Sequence, residues 1–240
     1  MSKGLAVRSS IAVGLVAMAS GATAATLDFT IPTSGFTVDT YTAVGGSNPA
    51  GALTGNLLTG EAGFASIQLD VDGINLDIYI DDPWDGNPYF DADSGGPGGL
   101  GSCRNLTSSA QCTPTNDDNL TISANESLRM DFALDSGAGT QAIFGDFGFY
   151  DDNHNAITGT IRVTHDGGMS TINVVGGVGS LAGIGSSSFL LFNDQADATQ
   201  ASTNYYISSA VMSAVPVPAA VWLFGSALGA LGWIRRRKTR

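Results

Sequence analysis

Much of the chain alternates between apolar and polar residues with a period of two, as a β-strand does when one face is buried. The clearest example is residues 64–71 and 74–80, which flank Asp72-Gly73, a dipeptide that favours a two-residue hairpin turn. Other short stretches of this kind are residues 27–31, 36–42, 120–122, 128–134, 142–150, 157–164, 171–175, 189–192 and 205–211. We therefore predict an all-β domain, an antiparallel β-sandwich, with a jelly roll as one arrangement of its strands.

Three segments between these stretches are rich in turn-forming residues. Residues 43–63 contain many Gly, Asn and Ala residues and are predicted to form a long loop. Residues 81–118, rich in Asp, Pro and Gly, are the least regular part of the pattern. Residues 165–168, His-Asp-Gly-Gly, predict a turn between two strands.

The carboxyl end has a different character from the rest of the chain. No charged residue occurs from Val215 to Ile234, and a helix of that length would span roughly 30 Å, the thickness of a bilayer core. Five basic residues follow, namely Arg235, Arg236, Arg237, Lys238 and Arg240. We predict one transmembrane helix with its basic end in the cytoplasm. A buried core helix and a permanent tail anchor are the alternatives.

The amino end has the pattern of a secretory signal peptide. Lys3 and Arg8 precede an apolar run at residues 11–19, and Ala22-Thr23-Ala24 is a small-x-small cleavage site. The expected domains are a signal peptide at 1–24, an exported β-domain at 25–214 and a carboxyl-terminal segment at 215–240. Signal peptidase is the expected processing partner at the amino end.

The charge of the expected exported domain is strongly negative. It contains 22 acidic residues against Arg104, Arg129 and Arg162, a net charge of −19, whereas the whole chain has −12. Such a surface repels nucleic acid and anionic lipid and attracts divalent cations. We therefore exclude nucleic acid as a partner.

The two cysteines, Cys103 and Cys112, lie in the irregular segment. In an oxidising compartment, the simplest expectation for two exported cysteines is a disulfide. Half of a metal site, or a nucleophilic thiol, is the alternative.

An acidic run in the same segment is the candidate metal site. Its carboxylates could supply the oxygen ligands that Ca²⁺ prefers; they belong to Asp81, Asp82, Asp85, Asp91 and Asp93. Solvated, turn-forming side chains are the other interpretation. Three aromatic residues, Trp84, Tyr89 and Phe90, are expected on a surface loop here, where they could stack on sugar rings; capping of the core is their alternative role.

Motifs of enzymes are nearly absent from the sequence. It lacks a Gly-x-Ser-x-Gly elbow, a His-Glu-x-x-His pair and a phosphate-binding loop. Residues 177–182 imitate a dinucleotide fingerprint, but a glycine turn between strands fits them better. Neither His154 nor His165 has a credible nucleophile partner in the sequence. We predict no enzymatic activity, although a carboxylate pair for glycoside cleavage remains an open alternative.

Pro-x-Pro, an apolar span and a basic stop, in that order, resemble the PEP-CTERM sorting signal of Gram-negative bacteria that make exopolysaccharide. Val215, Pro216 and Pro218 fall on its Val-Pro-x-Pro motif, and Val217 stands where Glu is usual. Arg235, Arg236, Arg237 and Lys238 fall on its basic stop. The block from residue 95 to 132, with its Gly-Leu-Gly turn and cysteine pair, also resembles a segment of such proteins.

The resemblance implies a route for the protein. Its precursor would be held at the inner membrane until an exosortase cuts near the motif and releases the body to the cell envelope or extracellular matrix. We therefore expect a non-enzymatic envelope or matrix protein associated with exopolysaccharide and biofilm. The alternative function is a Ca²⁺-assisted carbohydrate-binding or adhesive β-sandwich.

Overall fold

The computed structural model describes residues 24–30, 36–37, 40–42, 53–54, 57–58, 60–71, 74–81, 86–91, 98–113, 119–120, 127–134, 141–192, 204–214 and 226–228. Contacts along the chain separate one unit, Ala22–Val215, from a second that comprises Met1–Gly21 and Pro216–Arg240. Of the second unit, only residues 226–228 are described, and they form a single helical turn. The predicted signal peptide up to residue 23, the sorting motif and the basic stop lie outside the described residues. Among those described, no helix has the length and apolar character needed to cross a membrane.

The described residues of the first unit lie mainly in β-strands. The strands are β1 (Ala24–Asp28), β2 (Phe36–Thr37), β3 (Thr40–Thr42), β4 (Leu53–Thr54), β5 (Leu57–Leu58), β6 (Ala62–Gly63), β7 (Ser66–Val71), β8 (Ile74–Ile80), β9 (Asn87–Asp91), β10 (Gly99–Cys103), β11 (Leu128–Leu134), β12 (Ala142–Tyr150), β13 (Gly159–His165), β14 (Gly168–Val175), β15 (Val178–Ser180), β16 (Ser186–Ser187), β17 (Phe189–Phe192) and β18 (Tyr206–Ala214). A short 3₁₀ turn, Ala182–Ile184, lies between β15 and β16. Among the described residues of this unit, the prediction of an all-β domain is confirmed.

Most strands belong to one antiparallel sheet. Its order is β3-β7-β8-β11-β17-β13-β14-β15-β12-β18-β10-β9-β6, with β1 paired to β18 and β16 paired to β12. A small separate sheet has the order β2-β5-β4. Strand β1 begins at Ala24, so the predicted cleavage would remove its first residue and leave the buried Ala25 in place.

The two predicted hairpins are confirmed. Val71 pairs with Ile74 across Asp72-Gly73, and His165 pairs with Gly168 across Asp166-Gly167. Both turns are specified locally, because aspartate and glycine tolerate the backbone conformations that a two-residue turn requires. Within the first hairpin, Ile67 and Leu69 face the core together with their partners from β8.

The large sheet curls so that its two halves face each other. Phe132 on β11 and Phe144 on β12 are separated by five strand steps, which in a flat sheet would be about 24 Å. Their ring centroids lie only 5.1 Å apart. Phe147 on β12 likewise lies 5.8 Å from Phe192 on β17. The core therefore forms between the half containing β8, β11 and β17 and the half containing β12 and β18.

Two strands occur where the sequence predicted irregular structure. β9 and β10 pair with each other within the segment 81–118, and every residue of β10 is buried. Their composition, with Pro88, Gly99 and Gly101, is poor in the β-branched residues that signal strands. Gly99 is needed there, because an added Cβ would lie 2.7 Å from the carbonyl oxygen of Ile207 on the neighbouring strand. The predicted loop 43–63 also contains short strands, namely β4, β5 and β6.

Candidate functional site

The two cysteines form a disulfide, as predicted. Cys103 ends β10, and the chain returns through Leu106, which bridges to Cys112. The bond is buried beside Tyr89 and Leu106 in a small apolar cluster of its own. Neither thiol is free, so the alternatives of a metal ligand and a nucleophile are excluded for this state of the protein.

Removing this bond is expected to destabilise the fold moderately. Replacing both cysteines with alanine should lower the free energy of unfolding by roughly 2.5–3 kcal/mol, because the bond closes a loop of about ten residues in the unfolded chain. Urea unfolding of the oxidised protein, the reduced protein and the double variant would measure this. Equal midpoints for all three would contradict the expectation.

The acidic run is only partly within the described residues. Asp82, Asp85 and Asp93 lie outside them, as does Trp84. Asp81 lies 3.6 Å from the guanidinium of Arg129, whereas Asp91 is buried and contacts His154. In the part of the chain that the structure describes, no three acidic, histidine or cysteine side chains are grouped as a metal site would require. Asp81 and Asp91, the two predicted calcium ligands among the described residues, thus contact different residues.

The positions of Tyr89 and Phe90 correct an expectation of the sequence. Both were expected on a surface loop, yet they lie on β9 and are only 2% and 0% exposed. The Tyr89 hydroxyl donates to Glu61 at 3.2 Å, and the Phe90 ring packs 6.2 Å from those of Phe29 and Phe64. Neither ring is therefore available to stack on a sugar; they take the alternative role, as part of the apolar interior.

A buried histidine–aspartate pair was missed by sequence reasoning. Nε2 of His154 lies 2.8 Å from Oδ2 of Asp91, and these side chains are 11% and 4% exposed. The imidazole also packs edge-on against Tyr206, with centroids 5.8 Å apart. His154 has a φ of 60°, a left-handed conformation that the turn after β12 imposes. The pair ties this turn to the end of β9.

His165 and Ser170 lie at the distance expected of a catalytic base and its nucleophile, but their hydrogen bonds do not fit those roles. Nε2 of His165 lies 2.9 Å from the hydroxyl of Ser170. The Gly167 N–H donates to Nδ1 at 3.1 Å, so the ring proton lies on Nε2, which donates to Ser170 rather than accepting its proton. Asp166 does not orient the ring, because its carboxylate binds Ser188 at 2.7 and 2.9 Å. These contacts fit the expected turn chemistry.

Outside the core, a row of side chains crosses four adjacent strands. The register aligns Gln68, Asp77, Asp131 and Phe189 on β7, β8, β11 and β17. Residues directly opposite each other in a sheet point to the same face, and the neighbours of these residues along each strand, such as Ile78 and Met130, face the core. We call the first three of these residues, Gln68, Asp77 and Asp131, the polar row. It borders a depression of about 410 Å³ lined also by Asn75 and Ala133.

Hydrogen bonds fix one end of the polar row. Asp131 accepts from the Tyr79 hydroxyl at 2.6 Å and from Nε of Arg129 at 2.9 Å. The guanidinium of Arg129 lies 4.4 Å above the centre of the Phe189 ring. Burial raises the pKa of Tyr79, and its hydrogen bond to Asp131 raises that pKa further. Burial alone would lower the pKa of Arg129, but the contacts with Asp131 outweigh it and the pKa is raised.

Asp77 is the least satisfied member of the polar row. Burial raises its pKa, and the charge of Asp131 raises it further, while a hydrogen bond from Gln68 acts in the opposite direction. Its Oδ1 is shielded from water and has no hydrogen-bond partner among the described residues. A buried carboxylate oxygen in this state is uncommon in native proteins and suggests a role beyond stability.

Asp77 and Asp166 are expected to give opposite pH dependences of stability. The folded-state pKa of Asp77 is raised, so its ionisation opposes folding; stability is lost as the pH rises through that pKa, and Asp77→Asn should prevent the loss. Burial raises the pKa of Asp166, but hydrogen bonds from Ser188 and Ser187 outweigh it, so that pKa is lowered. The stability that ionised Asp166 contributes is present above its unfolded-state pKa and is lost as the pH falls through its folded-state pKa. Asp166→Asn should remove this contribution at neutral pH.

Urea unfolding of wild type and both variants at neutral pH and at pH values near the ordinary pKa of aspartate would measure this. We expect Asp77→Asn to be more stable than wild type at neutral pH, Asp166→Asn less stable, and both differences to shrink in acid. The same sign for the two variants at neutral pH would contradict the assignment.

No family model matches this sequence, and comparison with curated proteins and with solved structures finds no significant match to either.

Proposed function

We propose that this protein is a non-enzymatic component of the cell envelope or extracellular matrix of a Gram-negative bacterium, exported from the cytoplasm and sorted through its carboxyl-terminal signal. The Cys103–Cys112 disulfide is the observation that carries the proposal, because structural disulfides form and persist mainly in oxidising compartments. The bond is buried within the fold. We therefore expect the protein to reach its folded state in a compartment where this bond can form.

Two processing steps belong to the proposal. Signal peptidase removes residues 1–24, and an exosortase cuts near Val215, Pro216, Val217 and Pro218, so that the inner-membrane helix and its basic stop are lost from the mature protein. β18 ends at Ala214, immediately before this motif. Cleavage there would leave the strand, and its pairing with β12, intact.

We also propose that the exported domain is a β-sandwich. A sheet that curls until Phe147 meets Phe192 fits a β-sandwich built from one continuous sheet, with its core between the two halves. Such a body suits a secreted matrix component, because its stability comes from its own core and a disulfide.

Carbohydrate binding remains the second candidate function. It cannot depend on Tyr89 or Phe90, which are buried, and Trp84 lies outside the described residues. The specific observation in its favour is the polar row, which places amide and carboxylate groups side by side along an open depression. A structural Ca²⁺ bound by the acidic run remains part of this candidate.

Intact mass of the native protein from the envelope, the medium and the cytosol would test the proposal. We expect the envelope or medium form to begin at Ala25, to lack the basic stop and to gain two hydrogen atoms on reduction. An uncut chain with reduced cysteines, confined to the cytosol, would overturn it.

A further inference from the structure

We propose that the polar row binds a saccharide that carries protonated amino groups, with Asp77 as the residue that recognises the amine. This proposal adds a ligand class to the proposed function. It rests on that function only in one respect, namely that the protein meets the saccharide outside the cytoplasm.

The geometry of the polar row suits an extended ligand lying across the strands. Gln68, Asp77 and Asp131 are consecutive cross-strand partners, so their backbones are spaced by about 4.8 Å. Asn75 and Ala133 form the next row on the same face, two residues further along their strands. The depression between these rows, about 410 Å³, falls in the size range of small-molecule sites.

The distribution of charge selects a cation at one position of the row. The charge of Asp131 is already matched by Arg129, which binds it at 2.9 Å. Arg129 pairs with Asp81 and Asp131, whereas no ion pair to Asp77 is found among the described residues. A protonated amine in the depression beside Asp77 would offset the repulsion between the carboxylates of Asp77 and Asp131.

The neutral side chains of the site distinguish a saccharide from a simple amine. Gln68 and Asn75 line the depression with side-chain amides, and an amide, like a hydroxyl group, can both donate and accept hydrogen bonds. Gln68 also bonds Asp77, so a ligand that draws the Gln68 amide away gives its own donor access to the carboxylate. Acidic sugars are disfavoured, because the domain that carries the site has a net charge of −19.

Titration calorimetry of the full chain with three probes would test this assignment. The probes are a glucosamine hexamer, an N-acetylglucosamine hexamer and spermine, which has amines but no hydroxyl groups. We expect the glucosamine hexamer to bind at least about tenfold more tightly than either of the others. The N-acetylglucosamine hexamer loses the charged hydrogen bond to Asp77, and spermine loses the hydrogen bonds of the sugar hydroxyl groups. No binding of the glucosamine hexamer, or equal binding of spermine, would overturn the proposal.

Two variants locate the interaction. Asp77→Asn keeps the shape of the side chain and should weaken binding of the glucosamine hexamer by about tenfold or more. Asp146→Asn removes the same charge from an exposed position on β12, in the other half of the sheet, and should change binding less than about twofold. An equal loss in both variants would show general attraction to an acidic protein and would overturn the assignment to Asp77. These binding measurements do not depend on where the protein is located in the cell. The ligand proposal can therefore fail while export is confirmed, and export can be refuted while the ligand proposal is confirmed.

Discussion

Replacing Phe147 with alanine is expected to lower the free energy of unfolding by about 3–5 kcal/mol, the usual cost of removing a buried phenylalanine ring. Phe147 is 1% exposed, and its ring lies 6.4 Å from that of Phe144 and 5.8 Å from that of Phe192. Phe192 belongs to the opposite half of the curled sheet. The substitution therefore opens a cavity at the contact that holds the two halves together, and equilibrium unfolding in urea would measure its cost.

Ile143 provides the matched control on the same strand. It is 39% exposed, so Ile143→Ala should cost less than about 1 kcal/mol. Similar losses for the two variants would show that the face of β12 carrying Phe147 is not the buried one, and that the curled sheet does not close as described.

The elements that the sequence predicted well are those that local patterns determine. The hairpin of β7 and β8 follows from an alternating pattern on each side of Asp72-Gly73, and both features lie within a few residues. The disulfide could be predicted because the chain has only two cysteines and its amino end has an export pattern. Neither inference required knowledge of the distant partners of these residues.

β9 and β10 could not be predicted from the sequence, because the contacts that stabilise them come from strands distant in the chain. The buried glycines of β10 look like loop residues until Ile207 on β18 is known to pass within contact of Gly99. Tyr89 and Phe90 were expected at the surface for the same reason. Prolines and aspartates surround them in sequence, but β10 and β6 pair with β9 in the fold.

The candidate site was predictable in part. The alternation within the β7–β8 hairpin already places Gln68 and Asp77 on one face, opposite Ile67 and Ile78. The position of Asp131 beside them depends on the pairing of β11 with β8, and the sequence contains no signal for that register. The pair of His154 and Asp91 is still less predictable, since 63 residues separate them.

Replacing His154 with alanine is expected to cost about 2–3 kcal/mol, because the buried Asp91 carboxylate loses one of its hydrogen-bond partners. Asp91 is 3% exposed, and water has little room to take the place of the imidazole. A Cβ added at Gly98 would lie 2.7 Å from Oδ2 of Asp91, so the backbone already packs closely against this carboxylate. The variant should also release the turn after β12 from the end of β9, which amide hydrogen exchange in residues 151–156 would detect.

A double-mutant cycle separates the loss of the pair from the loss of packing against Tyr206. Asp91→Asn removes the charge but keeps the side-chain shape, so His154→Ala should cost less when Asp91→Asn is already present. The difference between the two costs is the coupling energy, and we expect it to exceed about 1 kcal/mol for partners 2.8 Å apart and this well buried. Additive costs would mean that His154 stabilises the fold through its ring contacts alone, in which case the hydrogen bond to Asp91 is not what fixes the turn.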